Sequence, residues 1–349
     1  MQAVKSRSHG LRPALNLLSK PTVKRSWNRL LYKLRDEVQT IQQQGSDVIP
    51  SISCKDIHTA PKSFQDELRK RGVAVIRGVI PESEARAYKE EIEAYVHANP
   101  QTRAFPPQDP QVFELYWSQA QMRARLHPNM LQKQRFLMRF WHSHAADAKI
   151  SPAHPLTYAD HLRIRQPGDA GFALAPHVDG GSVERWKRPG LEGTPSSRLQ
   201  GATPGYAQAL TAVLHPHLQL DKTMVNVPRI APGDYVAWHC DSVHAVDKLH
   251  QGQGDSSVMY IPACPATEEN ASYVRRQKDA FFVGVPPPDF PGGEGETNHV
   301  GRSAEADLQR SVDAQASQSL GFQPLDSNDA HLTHGEQSVL NAANRIFGF

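Results

Sequence analysis

Cysteine is scarce in this 349-residue chain, and the three residues present, Cys54, Cys240 and Cys264, are too scattered for a disulfide framework or a four-thiolate zinc site. No run approaches the roughly 20 consecutive apolar residues of a spanning helix, and no apolar signal-peptide core precedes a cleavage site. Charge of one sign is lacking too. Against 36 Asp and Glu stand 39 Lys and Arg, and the net charge of +3 gives no ground for a nucleic-acid partner. No internal repeat is visible. What remains, with 39% hydrophobic residues, is a chain able to bury a core, read as soluble, intracellular and kept in a reducing compartment, with neither nucleic acid nor membrane as a partner.

Charge is concentrated at one end. Residues 1–35 hold nine Lys or Arg (Lys5 to Arg35) and no acid. An Arg-rich, acid-poor stretch resembles an organelle transit peptide, so a mitochondrial location stands beside a cytoplasmic one. The other reading is a helix with a solvated basic face, because Trp27, Leu30, Leu31, Leu34, Val38 and Ile41 follow helical spacing.

Along the chain, residues 73–80 read as a strand and 81–98 as a helix carrying Ala85, Tyr88, Ile92, Tyr95 and Val96 on one face. Prolines 100, 106, 107 and 110 break regular structure, and one or two helices follow to about residue 145. The pattern then changes to period two: Leu162 and Ile164 alternate with Arg163 and Arg165. Strands are expected at 223–230, at 234–240 after the turn Ala231-Pro232-Gly233, and at 256–263, with a helix across 207–218. A loop from Pro286 leads to a helix carrying Leu308, Val312 and Leu320. Short strands punctuated by Pro and Gly favour a jelly roll over a helix-wrapped parallel sheet. The expectation is an α+β chain: a basic tail at 1–26, then a single domain over 27–349. Its parts are a mostly helical region (27–150), a jelly-roll core (151–265) and a C-terminal loop and helix (266–349).

Chemistry is suggested by His177-Val178-Asp179 at the end of an expected strand, where residues i and i+2 share a face and can converge on one ion. Two His and one carboxylate with open positions form the facial triad of non-haem Fe(II) oxygenases. His-x-Asp is expected about once by chance at this composition; two occur, the other being His239-Cys240-Asp241. The block PGDYVAWHCDSVHAV adds weight, since a Pro-Gly turn feeds a strand ending just before His244, the favoured distal ligand. A zinc site from His239, Cys240 and His244 is the alternative, disfavoured because neighbouring strand residues point to opposite faces. Other histidines, such as His142, His154 and His217, are read as structural.

Here a resemblance becomes specific. The segments YADHLRIRQPGD, PHVDGGSVERW, HPHLQL, VPRIAPGDYVAWHCDSVHAVD, SSVMYIPACP and PPPDFPGGEGE resemble a fungal member of the domain-of-unknown-function 1479 family, itself similar to Fe(II)/2-oxoglutarate-dependent oxygenases of the double-stranded β-helix, clavaminate-synthase-like type. GVAVIRGVIPESEARAY resembles the N-terminal signature of phytanoyl-CoA-hydroxylase-like relatives. The resemblance implies that His177, Asp179 and His244 hold Fe(II), and that 2-oxoglutarate binds beside it and is decarboxylated to succinate while a C–H bond of a small molecule is hydroxylated. Many relatives grip the distal carboxylate of 2-oxoglutarate with an Arg about ten residues after the second His. Here that stretch holds Lys248, Ser256, Ser257 and Tyr260 but no Arg, which leaves Arg163, Arg165, Ser257 and Arg275 as candidates.

A second departure concerns length. An eight-stranded jelly roll needs four strands between Asp179 and His244, but those 65 or so residues offer two clear ones. The family carries a longer stretch between the SVERW and GATPG blocks, so the chain is expected to be internally shortened near Arg188 to Leu199, with an incomplete barrel and exposed sheet edges. Three functions follow: an oxygenase of an unidentified small molecule, active or inactivated by the shortening; a non-catalytic jelly-roll binding protein; and a zinc hydrolase.

Overall fold

Helices form where apolar residues recur at helical spacing without an internal proline, and strands where β-branched runs meet a partner. The computed structural model describes residues 20–141, 143–171, 173–179, 208–290, 292–311 and 313–349. The expected junction near Arg188 to Leu199, the Gly180-Gly181 pair, His142 and Val312 lie outside them. In chain order the helices are α1 (Lys20–Gln44), α2 (Lys62–Arg71), α3 (Glu82–Ala98), α4 (Gln119–Leu126), α5 (Pro128–Met138), α6 (Leu220–Thr223), α7 (Glu268–Val283), α8 (Glu305–Ser311), α9 (Ala314–Ser319) and α10 (His334–Phe347). The strands are β1 (Ser51–Ser53), β2 (Val73–Arg77), β3 (Ala104–Phe105), β4 (Val112–Phe113), β5 (Ser151–Thr157), β6 (Leu162–Arg165), β7 (His177–Val178), β8 (Gln208–Ala209), β9 (Tyr235–Trp238), β10 (Ser256–Met259) and β11 (Ala263–Ala266).

The strands make four small sheets in the orders β1-β2-β9, β10-β6-β4-β3, β11-β5 and β7-β8. Among the described residues no sheet closes into a barrel. Between Asp179 and His244 the described strands are β8 and β9 alone. The expected strand at 223–230 is not part of any sheet: α6 ends at Thr223, and Val227 and Ile230 are 48% and 38% exposed. Pro228 supplies no N–H to a ladder. The helix expected across 207–218 is replaced by β8 and a turn. There the Thr211 hydroxyl accepts the Leu214 N–H at 3.1 Å, offering the backbone a local alternative to helix, and Pro216 begins a short 3₁₀ turn.

The sheet β1-β2-β9 positions the site. β2 lies parallel to β1 and antiparallel to β9, with Val73 opposite Trp238 and Ile76 opposite Tyr235. Ala74, Val75 and Ile76 of β2 are fully buried. At the far end, Asp234 accepts hydrogen bonds from Gly78 N–H (2.8 Å) and Ala231 N–H (3.0 Å) and pairs with Arg77 at 2.7 Å. Burial raises the Asp234 carboxyl, but these donors outweigh it and hold the group below its usual range. Gly233, at φ +87°, gives its carbonyl to Ile80 N–H at 3.0 Å; a Cβ there would sit 2.0 Å from the Ile80 oxygen, so the turn into β9 admits only glycine.

β5 contains Pro152 and Pro155, the latter opposite Pro265 of β11, so the missing N–H groups fall at one rung of a two-stranded sheet. Leu156 of β5 and Val274 of α7 share a core cluster with Val339, Leu340 and Phe347 of α10. Glu296, in the loop after α7, is fully buried; it accepts the Tyr116 and Trp117 N–H groups at 2.7 and 2.8 Å and the Tyr95 hydroxyl at 3.0 Å. It thereby ties the C-terminal segment to α3 and to the entry of α4.

Candidate metal centre

β7 lies antiparallel to β8, with His177 opposite Ala209, and on its other side His177 bridges to His244. His177 N–H donates to the His244 carbonyl at 2.9 Å and His244 N–H returns the bond at 3.0 Å. Directly opposed residues of an antiparallel pair project to the same face, and the two imidazole centroids are 4.3 Å apart. Asp179 lies just past the end of β7, and its carboxylate turns toward both imidazoles. Its Oδ1 lies 3.6 Å from His177 Nε2 and its Oδ2 lies 3.4 Å from His244 Nε2. One ligand atom from each of the three residues lies within 4.8 Å of the others.

The two imidazoles are oriented alike. His177 Nδ1 sits 2.7 Å from the Ala175 carbonyl and His244 Nδ1 sits 3.0 Å from the Ser242 carbonyl. A carbonyl only accepts, so each Nδ1 carries a proton, and in the neutral imidazole each Nε2 presents its lone pair. The two Nε2 atoms and the Asp179 carboxylate therefore face one point. In the neutral tautomer the donor set fits a divalent metal with imidazole and carboxylate ligands. Trp238, at the end of β9, donates its indole N–H to Asp179 Oδ2 at 3.2 Å, and its ring lies 5.3 Å from that of His244.

The other His-x-Asp falls in a turn rather than a strand, since β9 ends at Trp238. Strand alternation therefore does not separate its side chains, and His239, Cys240 and Asp241 also come within 4.8 Å of one another. His239 Nδ1, however, accepts the Asp241 N–H at 3.2 Å, which occupies the lone pair a metal would use. In the His177 cluster both Nε2 atoms face the Asp179 carboxylate rather than a backbone N–H, which favours it.

The structure distributes the remaining candidates. Arg163 and Arg165 are both buried on β6. Arg163 donates to Gln111 Oε1 at 3.2 Å and stands beside Tyr260. Burial raises the Tyr260 hydroxyl, the Arg163 guanidinium draws it down, and the charges of Asp160 and Asp179 add to the rise, which places Arg163 and Asp179 within electrostatic reach of one phenol. Arg165 instead donates to the carbonyls of Asp169 (2.7 Å) and Asp247 (3.0 Å), clamping the loop that follows His244. Ser257 pairs with Ile164 and so lies on the sheet face opposite Arg163 and Arg165; it is exposed and donates to Asp255 at 2.6 Å. Arg275 sits on α7, paired with Asp279 at 2.5 Å. Trp238 was not among the candidates, and its one signal in the sequence is an aromatic residue closing the strand that leads to His244.

The Gig2-like family model matches residues 3–194 and 188–322. This chain belongs to the Gig2-like family. The two matches meet at 188–194, where the sequence reading places a shortening. The uncharacterized protein YbiU of Escherichia coli (strain K12) is 27% identical over 401 residues, covering 88% of this chain and 93% of that one; the aligned span exceeds the 349 residues present here. Among solved structures, the hypothetical protein JW0805 from Escherichia coli is similar at 27% identity and a TM-score of 0.73, over 90% of this chain and 95% of that one. GlcNAc Inducible Gene 2, GIG2 (DUF1479), from Candida albicans shares the fold at 21% identity with a TM-score of 0.81, over 99% of this chain and 95% of that one. The Gig2-like assignment agrees with the domain-of-unknown-function 1479 resemblance. Among the described residues of this Gig2-like chain, no helix is long and apolar enough to cross a membrane.

Proposed function

We propose that this Gig2-like chain is an Fe(II)/2-oxoglutarate-dependent oxygenase of jelly-roll ancestry acting on a small molecule. The observation that carries the reading is the convergence of two imidazole Nε2 atoms and a carboxylate on one point, each Nδ1 being turned to a backbone carbonyl. His177, Asp179 and His244 would hold the iron and leave positions open beside it. Bound there with 2-oxoglutarate, iron supplies the oxidising power for C–H hydroxylation. The chain's own residues do the positioning: the Ala175 and Ser242 carbonyls fix the imidazoles, Trp238 steers Asp179, and Arg163 with Tyr260 offers a planar cation and a phenol to a distal carboxylate. The test is anaerobic titration with Fe(II), then 2-oxoglutarate, then O2. Succinate release that disappears in His177→Ala supports the reading, and release unaffected by that substitution overturns the ligand assignment.

A second reading is favoured by one observation, the absence of a closed barrel around the cluster among the described residues. In it the chain binds metal but holds no cosubstrate, acting as a non-catalytic binding protein. Calorimetry separates the two: metal-loaded protein that takes up no 2-oxoglutarate is the binding protein.

A further inference from the structure

The apolar stripe of α1 is covered along only part of its length. Val38 is buried and Ile41 packs beside Val48, Ile49 and Val75, whereas Val23, Trp27 and Leu30 are 53%, 44% and 46% exposed. Trp27 meets the His217 ring edge-on at 5.2 Å and keeps the rest of its indole open. At about 100° per residue these three side chains span roughly 60° of the helix. Lys24 and Arg35 border one edge of that stripe, and Arg29 and Lys33 border the other; all four are exposed. No acid occurs before Asp36. The hydrogen bonds of Arg25 and Arg29 run to neutral hydroxyls of the same helix, Thr22 and Ser26, at 3.1 and 3.3 Å.

We propose that the first half of α1 docks on an anionic lipid surface, lying in the interface with Val23, Trp27 and Leu30 inserted and Lys24, Arg29, Lys33 and Arg35 reaching the headgroup phosphates. An exposed apolar stripe with an indole in it, bracketed by cations on both edges, matches an interfacial helix. A nucleic acid would engage the cations but leave the stripe in water. The inference stands apart from the metal chemistry, and α1 lies on the surface rather than across it, as the absence of a spanning helix among the described residues requires.

Co-sedimentation of the full chain with vesicles of 30% phosphatidylserine in phosphatidylcholine tests it, against vesicles of phosphatidylcholine alone. Binding to the anionic vesicles should fall at least tenfold in Lys24→Glu/Arg29→Glu and several-fold in Trp27→Ala, and should weaken with salt, since each basic residue near such a surface contributes a several-fold factor. Tyr32→Ser, on the opposite face and 67% exposed, should bind as wild type does. Far-UV circular dichroism confirms that the variants keep their helix. Absence of binding, equal binding to both vesicles, variants indistinguishable from wild type, or capture by duplex DNA that Trp27→Ala leaves unchanged each overturns the proposal.

Discussion

His177 and His244, far apart in sequence, exchange backbone hydrogen bonds in both directions, at 2.9 and 3.0 Å. The two imidazoles are thus brought to one face by the peptide backbone. A preassembled site has a thermodynamic signature that a metal-induced site lacks: binding adds to stability by mass action without altering the fold.

Mn(II), a redox-inert stand-in for Fe(II), should raise the unfolding temperature. At a hundredfold excess over Kd the gain is about 2.7 kcal/mol. Asp179→Ala should abolish the gain, yet leave metal-free stability within about 0.5 kcal/mol of wild type, because the side chain is half-exposed. Differential scanning calorimetry with and without metal checks both outcomes.

Trp238→Phe keeps the ring beside His244 but removes the N–H that holds Asp179. Metal affinity should drop about tenfold, the lower end of the effect of losing an outer hydrogen bond to a ligand. Isothermal titration with Mn(II) measures it. An unchanged affinity would show that Asp179 needs no steering.

The buried arginines separate by what each guanidinium touches. Arg163→Ala should remove 2-oxoglutarate uptake by metal-loaded protein while metal affinity stays. Arg165→Ala should lower stability by about 1.5–3 kcal/mol, because it leaves the Asp169 and Asp247 carbonyls without their charged donor. Ser257→Ala, on the other face of the sheet, should change neither. Equal loss of cosubstrate in Arg163→Ala and Ser257→Ala would mean that the anchor lies elsewhere.

Burial lifts the Glu296 carboxyl to about 7, although the Tyr116 and Trp117 N–H groups, the Tyr95 hydroxyl and Arg125 all pull it down. The folded protein keeps a proton there that the unfolded chain releases near the ordinary value of 4.5. The contribution of this group to stability is therefore greatest below about pH 4.5 and falls as pH rises to about 7. Glu296→Gln removes the titration, so wild type should lose stability relative to the variant between pH 5 and 8, by on the order of 3 kcal/mol. A urea-midpoint difference that does not vary with pH would contradict this.

Much of the local structure was legible. The run 73–80 gave β2, the amphipathic 81–98 gave α3, the Pro-Gly turn before Asp234 gave β9, and period two gave β6. The i, i+2 spacing of His177 and Asp179 anticipated an imidazole and a carboxylate close together, although Asp179 lies just past the end of β7. What stayed hidden depends on distant partners. β5 was unreadable because its two prolines argue against a strand until β11 is seen opposite. The apolar run 223–230 looked like a strand but has none to pair with among the described residues. Period two put Arg163 and Arg165 on one face, but it could not say that one meets Tyr260 and the other a carbonyl clamp. α10 was missed although its signal is local, a capping box from Thr333 to Glu336 ahead of Val339, Leu340, Ala343 and Phe347.

The pairing of β7 with β8 fixes both ends of the interval that begins after Asp179: Val178 lies opposite Gln208 and His177 opposite Ala209. The connection between these two strands is thus pinned at both ends beside His177 and Asp179. Closing a loop twice as long costs only about 0.6 kcal/mol more. Segment length at this point and the geometry of the His-Asp-His cluster are thus uncoupled variables. A longer or shorter connection can therefore be joined at Val178 and Gln208 while the His-Asp-His cluster stays where the backbone put it.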